Sequence, residues 1–236
     1  MDSFDRVLAN KVIYSNDFST HLPFAFDRQL LLVDLIGDLP WSYNLSTGTL
    51  SFGDRFHWHA EVLGTESEET GTWLWAWANE ASGFPEQQQG ASLKLNALGE
   101  VHGIAEFTEA MVPLAHADGH AFASIAVGEG LGKAYYRGPY EGGAAFLLIT
   151  DEKLQFQVDD PLRRIMTIFP QAISAMELPD HREALRGYLE HYGTELPAVA
   201  GSAAVVQEVR EVLRAEFDEH QILRELKGTL GQPSSK

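Results

Sequence analysis

Apolar residues recur along this chain with two different periods, and the change from one to the other marks its elements. A period near 3.6 marks a helix with one buried face, and a period of 2 marks a strand with one buried side. Phe4, Val7, Leu8, Val12 and Ile13 follow the helical spacing behind Ser3, so residues 3–20 are expected to be helical until Pro23 breaks the pattern. Residues 27–38 form a second apolar stretch that stops at Gly37-Asp38 before Pro40. The period then shortens. Residues 41–45 and 49–52 flank Ser46-Thr47-Gly48 as the arms of a hairpin. In residues 55–63, Phe56, Trp58, Ala60 and Val62 point one way, and His57, His59, Glu61 and Leu63 the other. Residues 64–70 read as an acidic turn. Residues 72–79 (TWLWAWAN) read as a strand with Trp73, Trp75 and Trp77 on one face and Leu74, Ala76 and Ala78 on the other. Ala76 and Ala78 suit a closely approaching helix. Together these segments predict an antiparallel meander of about four strands.

Helical patterning returns after Pro85, over residues 87–98, with Leu93, Leu95, Ala97 and Leu98 before Gly99. Residues 107–114 fit either element, and the Ala-rich residues 117–128 predict a helix. Residues 133–137 and 144–150 are the arms of a second hairpin around 138–143. Pro161 opens a helix through residue 176 with Leu162, Ile165, Met166 and Phe169 as its stripe and a kink at Pro170. Asp180 caps another through 192, and residues 193–201 (GTELPAVAG) form a candidate linker. Residues 203–226 read as an amphipathic helix with Val205, Val209, Val212, Leu213, Phe217, Leu223 and Leu226 on one broad side. The expected fold class is α+β. Residues 1–158 form the meander and the later hairpin packed with helices, and residues 159–236 a helical C-terminal extension.

Composition narrows the function. With 236 residues, 44% of them hydrophobic, the chain has a globular makeup, which excludes wholesale disorder. The absence of Cys excludes disulfides, thiol nucleophiles and thiolate zinc sites and fits a reducing compartment. The longest apolar run is Leu30-Leu31-Leu32-Val33, far short of the ~20 residues of a membrane span. The first residues lack the apolar core of a secretory signal, so a soluble, cytoplasmic protein is expected. A net charge of −17 argues against nucleic acid as a partner. Residues 29–132 hold two basic residues against fourteen acidic ones, a net of −12, whereas residues 160–236 hold nine against twelve, a net of −3. This acidic body suits a basic protein partner; its plainer role is to keep the protein dispersed.

Three groups of residues offer chemistry. Trp73, Trp75 and Trp77 form either a core face or an aromatic platform for a ligand, with Asn79 able to accept an indole N–H. His57 and His59 share a strand face with Glu61, and His116 and His120 lie four apart with Asp118 between them. His57 and His59 are the candidate ligands of a divalent metal, the only cofactor the sequence suggests, although no HExxH motif is present. Their plain alternative is hydrogen-bonded strand histidines. Arg137 stands beside Tyr135, Tyr136, Tyr140 and Glu141, and reads first as one half of an internal ion pair with a carboxylate and second as an anion site. Neither a GxSxG elbow nor a phosphate loop occurs.

Trp41 with Thr49-Leu50-Ser51-Phe52, the run Gly71-Thr72-Trp73-Leu74-Trp75-Ala76-Trp77-Ala78-Asn79, and Tyr135-Tyr136-Arg137-Gly138-Pro139 together resemble a bacterial family of unknown function over roughly residues 20–150. The resemblance implies an α+β domain centred on the tryptophan strand. It carries over no catalytic residue. The leading functional expectation is a non-enzymatic binding or interaction protein, with oligomerisation through the C-terminal helix as a further expectation. The candidate ligand-binding residues are Trp73, Trp75, Trp77, Asn79, Tyr136, Arg137 and Glu141. The alternatives are a metal-dependent hydrolase using His57 and His59, and a small-ligand module built on the tryptophan strand.

Overall fold

Helices α1 (Asn16–Ser19) and α2 (Leu22–Ile36) come first. Pro23 falls in the first turn of α2, where no intrahelical partner awaits its missing N–H. Gly37 ends the helix at φ +52°, its N–H on the Val33 carbonyl. The computed structural model describes residues 16–176, 178–196, 203–207 and 211–230. Residues 3–15 of the helix expected over residues 3–20, and residues 197–201 of the expected linker, lie outside the described residues. The chain divides into two units: residues 28–156 form one, and residues 16–27 belong with residues 157 onward in the other. No described helix is long and apolar enough to cross a membrane.

The first unit holds a seven-stranded antiparallel sheet. Strands β1 (Trp41–Asn44), β2 (Thr49–Phe52), β3 (Phe56–Ser67) and β4 (Thr72–Trp75) follow one another in the predicted meander, and β5 (Met111–Pro113) extends it. The second hairpin, β6 (Ala134–Tyr140) and β7 (Gly143–Ile149), joins through β7 to β3, leaving β6 at the edge. Helix α3 (Gly90–His102) packs on β3, and a short α4 (Ala105–Thr108) leads into β5. Helix α5 (Gly119–Gly128) is capped by Asp118, whose carboxylate accepts the Ala121 N–H. Successive strand residues point to opposite faces. Leu147 and Ile149 of β7 therefore join Leu50, Phe52, Trp58 and Val62 against Leu32 and Ile36 of α2. Phe146 faces the other way, toward Trp73 and His120.

Two expectations for this unit are corrected. Residues 64–67 are not a turn but the end of β3. Gly64 is there because the Trp73 ring lies on it; a Cβ would collide with the indole. TWLWAWAN is extended only as far as Trp75, and Ala76–Ala78 forms a 3-10 turn. The ladder between β3 and β4 ends at the Gly64–Trp75 pair, next to an irregularity in β3 between Val62 and Gly64. Beyond it the strand has no regular ladder to follow, and Ala is a weak strand former.

The second unit contains α6 (Pro161–Ala175), capped by Asp160 with Pro161 opening the first turn, and α7 (His181–Glu190), capped by Asp180. Helix α6 runs through Pro170. The expected helix over residues 203–226 is replaced by a three-stranded antiparallel sheet, β8 (Ala203–Gln207), β9 (Glu211–Phe217) and β10 (Leu223–Leu230). The C-terminal part is thus not all-helical. In β9 the buried Leu213, Ala215 and Phe217 alternate with the exposed Arg214 and Glu216, a period of 2 that the spacing of the valines disguises. The Asp218 carboxylate accepts the N–H groups of His220 and Ile222 and so makes the turn between β9 and β10, where Gln221 takes φ +62°.

Candidate functional site

The tryptophan strand forms core. Trp73 and Trp75 are 0% exposed and pack with Phe122 at ring distances of 5.2 and 4.6 Å. The Trp75 indole N–H donates to the Glu106 carbonyl, whereas the Trp73 N–H has no partner among the described residues. Trp77 leaves the strand in the 3-10 turn and does not share their face as a platform would require. Asn79 caps the following turn by accepting the Ser82 N–H, not an indole N–H. Glu141 lies exposed at the tip of the β6–β7 hairpin.

His57 and His59 both lie exposed, two apart on one side of β3. His57 Nδ1 is 2.9 Å from Ser51 Oγ, and His59 Nδ1 is 3.0 Å from Thr150 Oγ1. Glu61 accepts the Ala91 N–H at the start of α3. His116 precedes α5, so it does not share a helical face with His120. Among the described residues no three His, Asp or Glu side chains gather as a metal site.

Charge and shape converge at the edge strand β6 instead. A cleft of about 250 Å³ is lined by Gln29, Leu32, Val33 and Ile36 of α2, His120 of α5, and Tyr135, Tyr136, Arg137 and Pro139 of β6. Alternation along β6 sends Tyr135 to the α5 side, against His120 and Phe146, and Tyr136 to the other side, against Trp41 and Phe52. Gln29 covers the open edge of β6. In the amide orientation that satisfies both partners, its nitrogen donates to the Tyr135 carbonyl at 2.8 Å and its oxygen accepts the Tyr135 N–H at 2.9 Å.

The polar end of the cleft is an ion pair backed by a helix terminus. Glu66, only 8% exposed, has one oxygen 3.6 Å from Arg137 Nε, and its other oxygen accepts the Gly119 N–H at 2.8 Å. Positive charge at the helix start and on the guanidinium together compensate this buried carboxylate. The expected internal ion pair of Arg137 thus has its carboxylate. The two terminal nitrogens of Arg137 have no hydrogen-bond partner among the described residues. Glu66 was hidden from sequence reasoning because it sits in GTESEET, which has turn composition. No short-range pattern marked it either, because the irregularity in β3 between Val62 and Gly64 interrupts the alternation ahead of Glu66.

His120 Nδ1 lies 2.9 Å from the Tyr135 hydroxyl. Burial, helped by the positive Arg137, lowers its pKa from 6.5 to about 4. Between those two values the unfolded chain binds a proton that the folded protein does not. Stability is therefore complete above pH 6.5 and falls as the pH drops toward 4. At ~1.36 kcal/mol per unit, the loss by pH 4 is about 3 kcal/mol. Denaturant unfolding at neutral pH and near pH 4 measures it, and His120→Phe should flatten the profile. Identical pH slopes in the two proteins would remove His120 as its source.

The arrangement is that of an α+β domain with a ligand-sized cleft on its sheet edge. Residues 16–152, more than half of the chain, match a family of unknown function, DUF6882, and the chain belongs to that family. No curated protein and no solved structure matched the chain.

Proposed function

We propose that the domain is a binding module that takes a small ligand with an apolar body into the cleft beside β6. The observation that carries this reading is the pairing of an apolar wall, Leu32, Val33, Ile36 and Tyr136, with the single polar end at Arg137 and His120. Binding sites are mostly apolar concavities with a few placed polar groups. This differs from the aromatic platform expected of the tryptophan strand, whose two central rings are fully covered. The test is a fragment screen by NMR with labelled methyl groups. Val33 is 46% exposed, so Val33→Trp closes the mouth of the cleft without touching the core. Ligands should perturb the Val33 and Ile36 methyls and lose binding in Val33→Trp at unchanged melting temperature. Hits that map elsewhere, or bind the variant equally well, would sink the proposal.

A second reading, a basic protein partner for the acidic surface, is favoured by the exposed carboxylates of Glu68, Glu69, Glu80, Glu86, Glu100 and Glu109. None of them forms an ion pair among the described residues. Such a complex should weaken steeply as salt rises and when Glu68 and Glu69 become glutamine. An affinity indifferent to both changes would count against it.

A further inference from the structure

Resting on the cleft reading above, we infer that its ligand is a small monocarboxylate, an apolar body ending in one carboxyl group that docks on the free side of Arg137. The Arg137 fork offers two parallel N–H donors, the geometry a planar carboxylate accepts. Its Nε side is already turned to Glu66, so only the terminal nitrogens are available, and these are the ones without a partner. Glu66 is a positioning residue. It is itself held by the Gly119 N–H and keeps its other oxygen 3.6 Å from Arg137 Nε, on the side of the guanidinium away from the ligand.

Charge matching selects the carboxylate over a phosphate. A phosphomonoester carries about −1.5 to −2 at neutral pH. The cleft offers one arginine already paired with Glu66, and burial keeps His120 neutral, so no second cation is supplied. The helix start at Gly119 takes part of the Glu66 charge, so the guanidinium keeps positive character for one singly charged group but not for a dianion. The neutral His120 imidazole and the Tyr135 hydroxyl beside it add polarity without charge. Size points the same way: about 250 Å³ lies below the ~300–1,000 Å³ of sites for drug-sized molecules. The apolar wall of Leu32, Val33, Ile36 and Tyr136 takes the rest of the ligand.

The test compares phenylacetate, phenylacetamide and phenyl phosphate on the full chain by NMR titration, in the wild type and three variants. Phenylacetate should bind at least about tenfold more tightly than the isosteric amide, because only the charged partner gains the charge-assisted fork. Arg137→Lys keeps the charge without the fork and should lower that preference. Glu66→Gln/Arg137→Gln removes both charges, leaves no unpaired buried carboxylate, and should abolish the preference while retaining weak binding of both compounds. Glu66→Gln alone removes the carboxylate that competes for Arg137 and should tighten phenylacetate without changing binding of the amide. Equal affinity for carboxylate and amide, with the Val33 and Ile36 methyls perturbed by both, would overturn the carboxylate inference and leave the cleft reading intact. Tighter binding of phenyl phosphate would overturn the inference in the same way. Failure of all three compounds to perturb those methyls would overturn both.

Discussion

Trp73→Ala is expected to lower the unfolding free energy by about 3–5 kcal/mol, the range for large aromatics removed from a core. The indole is 0% exposed and meets Trp75, Phe122 and Phe146 at ring distances of 5.3, 5.2 and 5.5 Å. On its remaining side it lies on Gly64, where the β3 backbone itself forms the wall. A strand backbone tied into a seven-stranded sheet does not collapse into the space left behind, so most of the cavity persists. Trp73→Phe sharpens the test. The indole N–H is buried without a partner among the described residues, and an unmet buried donor costs about 1–3 kcal/mol. Removing it offsets part of the lost packing, so the phenylalanine variant should lose much less than its missing volume suggests. Denaturant unfolding followed by far-UV circular dichroism measures both. An alanine variant that loses less than about 1 kcal/mol would be incompatible with a covered ring.

Arg164→Ala carries the second large effect, also about 3–5 kcal/mol, for an electrostatic reason. Asp27 is 0% exposed and accepts from Arg164 Nε at 2.5 Å and from the Tyr192 hydroxyl at 2.6 Å. Without the guanidinium, one phenol hydrogen bond is left to hold a buried carboxylate, and the charge is uncompensated. The same logic predicts that Asp27→Asn/Arg164→Met loses less than Arg164→Ala, because neither charge remains to be solvated. Chemical denaturation of both variants distinguishes a buried charge from simple loss of side-chain contacts. If the double variant were the less stable of the two, packing rather than charge would be the cause.

Much of the first unit was legible in the chain. The hairpin around Ser46-Thr47-Gly48, the alternation from Phe56 onward, the Ala-rich helix behind Asp118 and the β6–β7 hairpin all appear where their patterns place them. These elements depend on turn chemistry, caps and short-range periodicity, all of which are local. The misreadings have non-local causes. Residues 203–226 offered valines and leucines at spacings that satisfy both periods, and β9 chose between them by pairing on both sides. GTESEET has turn composition, yet its glycine makes room for an indole and Glu66 faces a helix N-terminus. Among the site residues, Tyr136 and Arg137 do line the cleft, whereas Trp73 and Trp75 are core, Trp77 is half-buried and Glu141 stands apart at the hairpin tip.

Taken alone, the order of residues determined an acidic α+β chain, the cap at Asp180, and an arginine in need of a carboxylate. Only the tertiary structure decided which carboxylate. Glu66 lies 71 positions from Arg137, and two strand pairings, β3 with β7 and β7 with β6, bring them within 3.6 Å. Periodicity reports which side of an element faces inward, but not what it meets there. That partner is set by sheet order and register, which long-range pairing selects and no short window of residues contains.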